Sequence, residues 1–356
     1  MTRPPRPRRI SELLSEPGST LASLARGVEA HEDLRRTVAD ALPAPLRLHL
    51  LSAAVSGDAL ILSVDDPSWA SRIRFHQGPC LAAARRLTGD GVLVVAHDPR
   101  LNPALARGPD GRWLATAGPV IRRMSFAALA AYDIGRLDPA SRYAARFPEQ
   151  QPVDGARIPS FDQVVALTRA AGATRVRFNL ETKLSPLQPE LSAAPEVLAD
   201  AVVAAIRRHG IAGRATVQSF DWRTLRRVQE VAPEIATVCL TAEREWLDNL
   251  RAGQAGASPW TAGLDVDAYA GSVPRLVHAA GCAVWSPYWR DLDPGRLAEA
   301  HGLGLAVIPW TVNRAAEMER LIGLGVDGLI TDYPDRLRAA MSRNRLPLPP
   351  ATPVEQ

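Results

Sequence analysis

From Ser11 to Asp40 the apolar residues Leu13, Leu14, Leu21, Leu24, Ala25, Val28, Leu34 and Val38 fall at helical spacing. Leu42-Pro43-Ala44-Pro45-Leu46 then breaks the helix, and two β-like runs follow, Leu46 to Val55 and Ala59 to Val64. Ser56-Gly57-Asp58 between them predicts a hairpin turn. A second helix is expected to start at Asp66-Pro67-Ser68-Trp69 and to reach about Leu87, with Asp66 as cap and Pro67 in the first turn. From Val92 the rhythm changes. Short apolar runs at Val92–Ala96, Val176–Leu180, Ala215–Ser219, Ala236–Leu240, Ala283–Trp285, Leu305–Trp310 and Gly328–Thr331 read as strands. Between them Ser160–Ala171, Pro195–His209, Trp222–Val231, Gly271–Ala280 and Ala315–Leu324 have the helical period. Nearly continuous apolar strands alternating with helices predict parallel strands covered by helices, an α/β fold.

Composition narrows the class. At 46% hydrophobic and 22% charged, the chain of 356 residues is globular and excludes disordered and fibrous proteins. Its length is roughly two domains' worth. A net charge of +4 excludes a whole-chain nucleic-acid footprint, and Arg3, Arg6, Arg8 and Arg9 form only a short basic arm. Three cysteines, Cys80, Cys239 and Cys282, are too few and too widely spaced for a disulfide framework, so a reduced chain is expected. The N-terminus has no apolar stretch behind its charges, and no apolar run approaches the roughly 20 residues that span a bilayer. The expected location is the cytoplasm.

Candidate chemistry sits where the apolar runs end. His97 and Asp98 follow Val94-Val95-Ala96, and Glu181 and Lys183 stand two apart, on one face of a strand. Lys183 is the single lysine among 42 basic residues. Phe220 and Asp221 follow another run, Trp310 and Asn313 a later one, and Asp332 closes the series. Polar and aromatic groups at the carboxyl ends of successive parallel strands are the pattern by which α/β barrels build sites. Each has a plainer reading beside it: His97 a loop residue, Glu181 with Lys183 a surface ion pair, Trp310 packing at the rim. Asp332 and Asp335 read as turn formers and caps.

The ordered set HDP, IPSFDQV, FNLETK, TVQSF, IPWTVN and GVDGLITDYPD, spread over about residues 88–341, resembles the glycerophosphodiester phosphodiesterase family. That resemblance implies a TIM-barrel-like (β/α)₈ domain with an insertion, here about 102–154, and metal-dependent hydrolysis of glycerophosphodiesters to glycerol 3-phosphate and an alcohol. It implies that His97 is one of two catalytic histidines and Glu181 one of three carboxylates on a divalent metal, calcium or magnesium. It further assigns Lys183 to the substrate phosphate, and Phe220 and Trp310 to the glycerol end. Three features of the family find no match. There is no His-Arg-Gly strand end and no Pro-Glu-Asn-Thr helix start, and counting back from Thr88-Gly89-Asp90-Gly91 places Ala82 and Ala84 where two carboxylates belong. An N-terminally truncated barrel with weak or absent activity is therefore expected, with His97, Glu181 and Lys183 in one cleft.

Residues 42–87, from Leu42-Pro43 to Arg86-Leu87, resemble the KH-like domain of the DciA helicase-loader family, which implies a small α+β domain over 1–87 and a replicative helicase or DNA as partner. Residues 342–356 read as a tail. The expected packing pairs Val92–Ala96 with the hairpin and leaves an open barrel behind it. Two rival readings are a helicase- or DNA-binding module carrying a degenerate barrel, and a fusion or deletion product without selected function.

Overall fold

The computed structural model describes residues 32, 34–56, 59–80 and 91–350. It divides into two units at Phe161/Asp162, with Glu190–Ala193 belonging to the first. Ala82, Ala84 and most of the Thr88–Gly91 turn lie outside the described residues, as do most of the first expected helix and the tail from 351.

The first unit opens with a small α+β arrangement: α1 (residues 34–40), α2 (Ala44–Arg47), an antiparallel hairpin of β1 (Leu50–Ser56) and β2 (Ala59–Val64), and α3 (Pro67–Arg74). Leu34, Val38, Leu42, Leu46, Leu50, Ala53 and Ile73 form its core, and Trp69 packs against them. Two boundaries differ from the expectation. Leu46 lies in a helical turn rather than in the strand, because Pro43 and Pro45 fit the start of a helix and α2 carries proline in its first turn. Helix α3 starts as expected, Asp66 accepting from the Ser68 amide at 2.8 Å, but it breaks at Phe75 and His76 instead of running on unbroken.

Residues 92–96 do not join that hairpin, contrary to expectation. Val94 makes an antiparallel bridge to Ser160, Val95 N–H donates to Pro159 O and Phe161 N–H to Leu93 O, both at 2.9 Å. Pro159 holds Ile158 extended, which readies the 158–161 segment for this pairing. The stretch between has little regular structure beyond α4 (Phe126–Leu129), yet it has its own core of Leu101, Ala106, Leu129 and Ile158. Polar contacts replace secondary structure there. Asp133 accepts from the Gly135 and Gly155 amides, both at 2.9 Å, and Arg107 contacts Asp133 and Asp154, both at 2.5 Å. Gly135 is required because a Cβ there would stand 1.7 Å from Val153 O.

The second unit is a parallel sheet with helices. Five strands lie in the order β3 (Phe178–Glu181), β4 (Ala215–Ser219), β5 (Ala236–Thr241), β8 (Val284–Pro287) and β9 (Ala306–Val307). A two-stranded hairpin, β6 (Glu243–Arg244) and β7 (Leu247–Asp248), follows β5. Beyond β9 the ladder continues, with Asp327 N–H donating to Val307 O and Ile330 N–H to Pro309 O, both at 3.0 Å. The helices are α5 (Phe161–Ala170), α6 (Pro195–Arg208), α7 (Trp222–Val231), α8 (Val273–Ala279), α9 (Pro294–Gly302), α10 (Ala315–Leu324) and α11 (Pro334–Arg343). Val217, Trp222, Leu225, Trp285, Val307 and Met318 are among the buried side chains between sheet and helices. No helix among the described residues is long and apolar enough to cross a membrane.

Cys239 and Cys282 form a disulfide, which corrects the expectation of reduced thiols. The two cysteines are 43 residues apart in sequence and neighbours in the sheet. Cys239 lies on β5 and Cys282 enters β8, and pairing of these neighbouring strands brings the two Cα atoms to 5.9 Å.

Candidate active site

Strand register decides which side chains can meet. Glu181 pairs with Gln218 and Leu240 with Ser286, so Asn179, Glu181, Thr216, Gln218, Ser286, Tyr288 and Trp310 fall on one face of the sheet. Asn179 donates to Gln218 Oε1 at 2.7 Å and accepts from Thr216 Oγ1 at 2.8 Å, which confirms the shared face. The opposite face, with Val217, Cys239, Trp285 and Val307, is buried.

Glu181 ends β3 and Lys183 stands two residues on, with Lys183 Nζ 2.7 Å from Glu181 Oε1. Between them Thr182 points the other way into the protein. Its amide donates to Gln218 O at 2.9 Å, its Oγ1 lies 2.9 Å from Thr224 Oγ1, and its carbonyl accepts from Ser219 Oγ at 3.0 Å. This buried wedge fixes the turn that presents the acid and the ammonium together. Apart from this ion pair the buried Glu181 Oε1 has no hydrogen-bond partner.

An aromatic wall stands on the same face. Phe220, just past β4, meets the Trp310 ring edge-on with centroids 5.2 Å apart. Trp310 contacts Tyr288 at 5.4 Å and Trp246 at 6.1 Å, and Trp246 meets Tyr288 at 5.4 Å. Strands β4 and β9 are three steps apart in the sheet, about 14 Å if it were flat. Ring contact across that interval fits a sheet that curves toward this face, with the wall inside the curve. Trp310 is fixed by its own Nε1 donating to Ser286 O at 3.0 Å.

Trp246 and Tyr288 were not read from the sequence as site residues, nor were the groups beneath them. Trp246 is 61% exposed at the tip of the β6–β7 hairpin. Ion pairs Arg244–Asp291 and Glu243–Arg296 clamp that hairpin, and Arg244 lies over the Tyr288 ring. Burial holds the Asp291 carboxyl above its ordinary value, outweighing the Glu243 amide and Arg244 that favour its charged form. Tyr288-Trp289 directly after an apolar strand is the same signal that singled out Trp310; Trp246, on a loop, carried none.

His97 lies in the first unit. Its side chain is 79% exposed with Nδ1 3.1 Å from Asp98 Oδ1, and Asp98 accepts from Asn102 Nδ2 at 2.8 Å. These three residues line a cavity of about 160 Å³ together with Leu101, Ile121 and Ile158.

The model of the glycerophosphoryl diester phosphodiesterase family matches residues 86–336. The chain belongs to that family. It is 26% identical over 254 residues to a glycerophosphodiester phosphodiesterase of Caldanaerobacter subterraneus subsp. tengcongensis, covering 71% of this chain and 81% of that one. A glycerophosphodiester phosphodiesterase of Bacillus subtilis is 25% identical over 259 residues, 70% of this chain and 72% of the other. Among solved structures, a candidate glycerophosphoryl diester phosphodiesterase from Silicibacter pomeroyi DSS-3 superposes with a TM-score of 0.63 at 33% identity, covering 76% of this chain and 88% of that one. An Oleispira antarctica phosphodiesterase in complex with the product sn-glycerol-3-phosphate shares the fold, with a TM-score of 0.50 at 19% identity over 72% of this chain and 82% of the other. The DciA (Dna[CI] antecedent) family model matches residues 9–95.

The phosphodiesterase family is metal-dependent, and the residues of this chain fit a divalent ion poorly. Glu181 Oε1 is one suitable oxygen, but hard cations take about six or more. Among the described residues no group of three His, Cys, Asp or Glu side chains is arranged to hold a metal. The ammonium of Lys183 is already 2.7 Å from that oxygen.

Proposed function

We propose that the second unit keeps the family's glycerophosphodiester site while hydrolysis in this chain is slow or lost. The observation that carries the reading is the Glu181–Lys183 pair at the carboxyl end of β3, on the concave face that also bears the Phe220–Trp310 contact. A phosphodiester monoanion with a short polyol matches this composition. Lys183 would take the phosphate oxygens as a point charge, and Phe220 and Trp310 would cover the glycerol carbons. Of the family pattern, His97 remains as a proton-transfer group and Glu181 as the single matched metal carboxylate, too few oxygens for calcium or magnesium. Phosphodiester hydrolysis needs charge neutralisation and a proton for the departing alkoxide. With a second histidine and two carboxylates unmatched, both needs are met in part only. The barrel is read as (β/α)₈-like and truncated at its N-terminal side, consistent with the exposed Asn179 on β3.

Glycerophosphocholine with millimolar calcium or magnesium is the test. Turnover well below the 1–10³ s⁻¹ usual for enzymes is expected, at most on the order of 10⁻² of it after loss of transition-state contacts. Turnover inside the usual range would refute the reading. The match of residues 9–95 to DciA supports a second role for the first unit, contact with a replicative helicase or DNA in the cytoplasm. Salt-sensitive DNA binding that persists in a chain with Lys183→Met would favour it.

A further inference from the structure

The carboxylate that should hold a cation already faces one. Lys183 Nζ stands 2.7 Å from Glu181 Oε1, and a divalent ion on that oxygen would lie at a similar range, about 2.0–2.6 Å, forcing two positive charges together. The backbone between the two residues is fixed, so both side chains leave it on the same side. Thr182, buried between the two residues and bonded to Gln218, Ser219 and Thr224, holds the backbone that carries both side chains. Lys183 is also the single lysine in a sequence that otherwise uses arginine. An ammonium is a compact point charge that one carboxylate can hold and one phosphate can compete for.

We propose that Glu181 serves in this chain as the counter-ion of Lys183 rather than as a metal ligand, and that the site takes the phosphate of a glycerol phosphoester without a divalent cation. The proposal rests on the reading that the ligand is a glycerophospho compound. It reverses the sign of one substitution. At a metal site, Glu181→Gln removes a ligand and weakens phosphate binding. At a counter-ion site, it removes the anion that competes with phosphate for Lys183, and binding tightens.

Titration of the full chain with sn-glycerol 3-phosphate, by calorimetry, separates the outcomes. The wild type should bind with the same Kd, within about twofold, in chelator and in millimolar calcium or magnesium. Glu181→Gln should bind about two- to fivefold tighter, the range of a partly exposed ion pair. Lys183→Met should bind on the order of tenfold weaker or worse, having lost a charge-assisted contact. Binding that requires the metal, or that is weakened by Glu181→Gln when metal is present, overturns the counter-ion assignment and leaves the ligand reading intact. Absence of binding by the wild type in both conditions overturns both. The wild-type comparison of chelator with metal stands even if a variant fails to fold.

Discussion

Asp221 follows Phe220 of the aromatic wall and ties the start of α7 to the fold. It is fully buried, caps α7 by accepting from the Arg223 amide at 3.2 Å, and holds the Arg223 guanidinium at 2.8 and 2.5 Å. Those hydrogen bonds hold Arg223 above its ordinary pKa. Replacement by Ala removes the cap, about 1 kcal/mol, and the charged hydrogen bonds to a guanidinium that is 29% exposed, about 1.5–3 kcal/mol. Arg223 turns partly to solvent, which limits the loss to roughly 2–4 kcal/mol in all. For a unit of this size that lowers Tm by about 5–15 °C. Asp221→Asn keeps the cap acceptor, so it should cost less than half as much. Thermal unfolding followed by circular dichroism measures both. An Ala variant within about 2 °C of wild type, or an Asn variant as damaged as Ala, would refute the assigned role.

Acid sensitivity should appear in the 91–161 segment. Asp154 is held down to about 2, first by Arg136 and then by Arg107, so its stabilising contribution is present above the usual carboxylate value of 3.8 and is lost as pH falls toward about 2. Asp154→Asn should therefore melt below wild type at neutral pH, with the gap closing by pH 2; a gap unchanged across that window contradicts the pairing. Thiol titration of the denatured, unreduced chain should find one free thiol, Cys80, and three after reduction. Three without reductant would contradict the disulfide. Reduction should destabilise the second unit by roughly 4 kcal/mol, the loop-closure value for 43 residues.

Much of the second unit was legible because its strands are short apolar runs and its helices have caps. Ala215–Ser219, Trp222–Val231 and Ala315–Leu324 fall where periodicity put them. Helices α9 and α11 carry a weak periodic signal: each begins at a proline, which suits the first helical turn, and each is short on apolar positions. Residues 92–96 show the limit of reading strands by composition. Their apolar run is real, but strand pairing is a tertiary choice, and they pair with 158–161 rather than with the hairpin. The disulfide was hidden for a similar reason, since sequence distance says nothing about neighbours in a parallel sheet. Of the site, Glu181 with Lys183 was legible from two-residue spacing, and Phe220 and Trp310 from aromatic residues at strand ends. Trp246 was not, because an exposed loop tryptophan acquires meaning only from the rings it meets.

The site assignment is tested most directly by a crystal structure of the full chain soaked with sn-glycerol 3-phosphate. The account predicts phosphate oxygens within hydrogen-bond distance of Lys183 Nζ and glycerol carbons against Phe220 and Trp310. Density for the ligand away from Lys183, with the Glu181–Lys183 pair undisturbed, would contradict it.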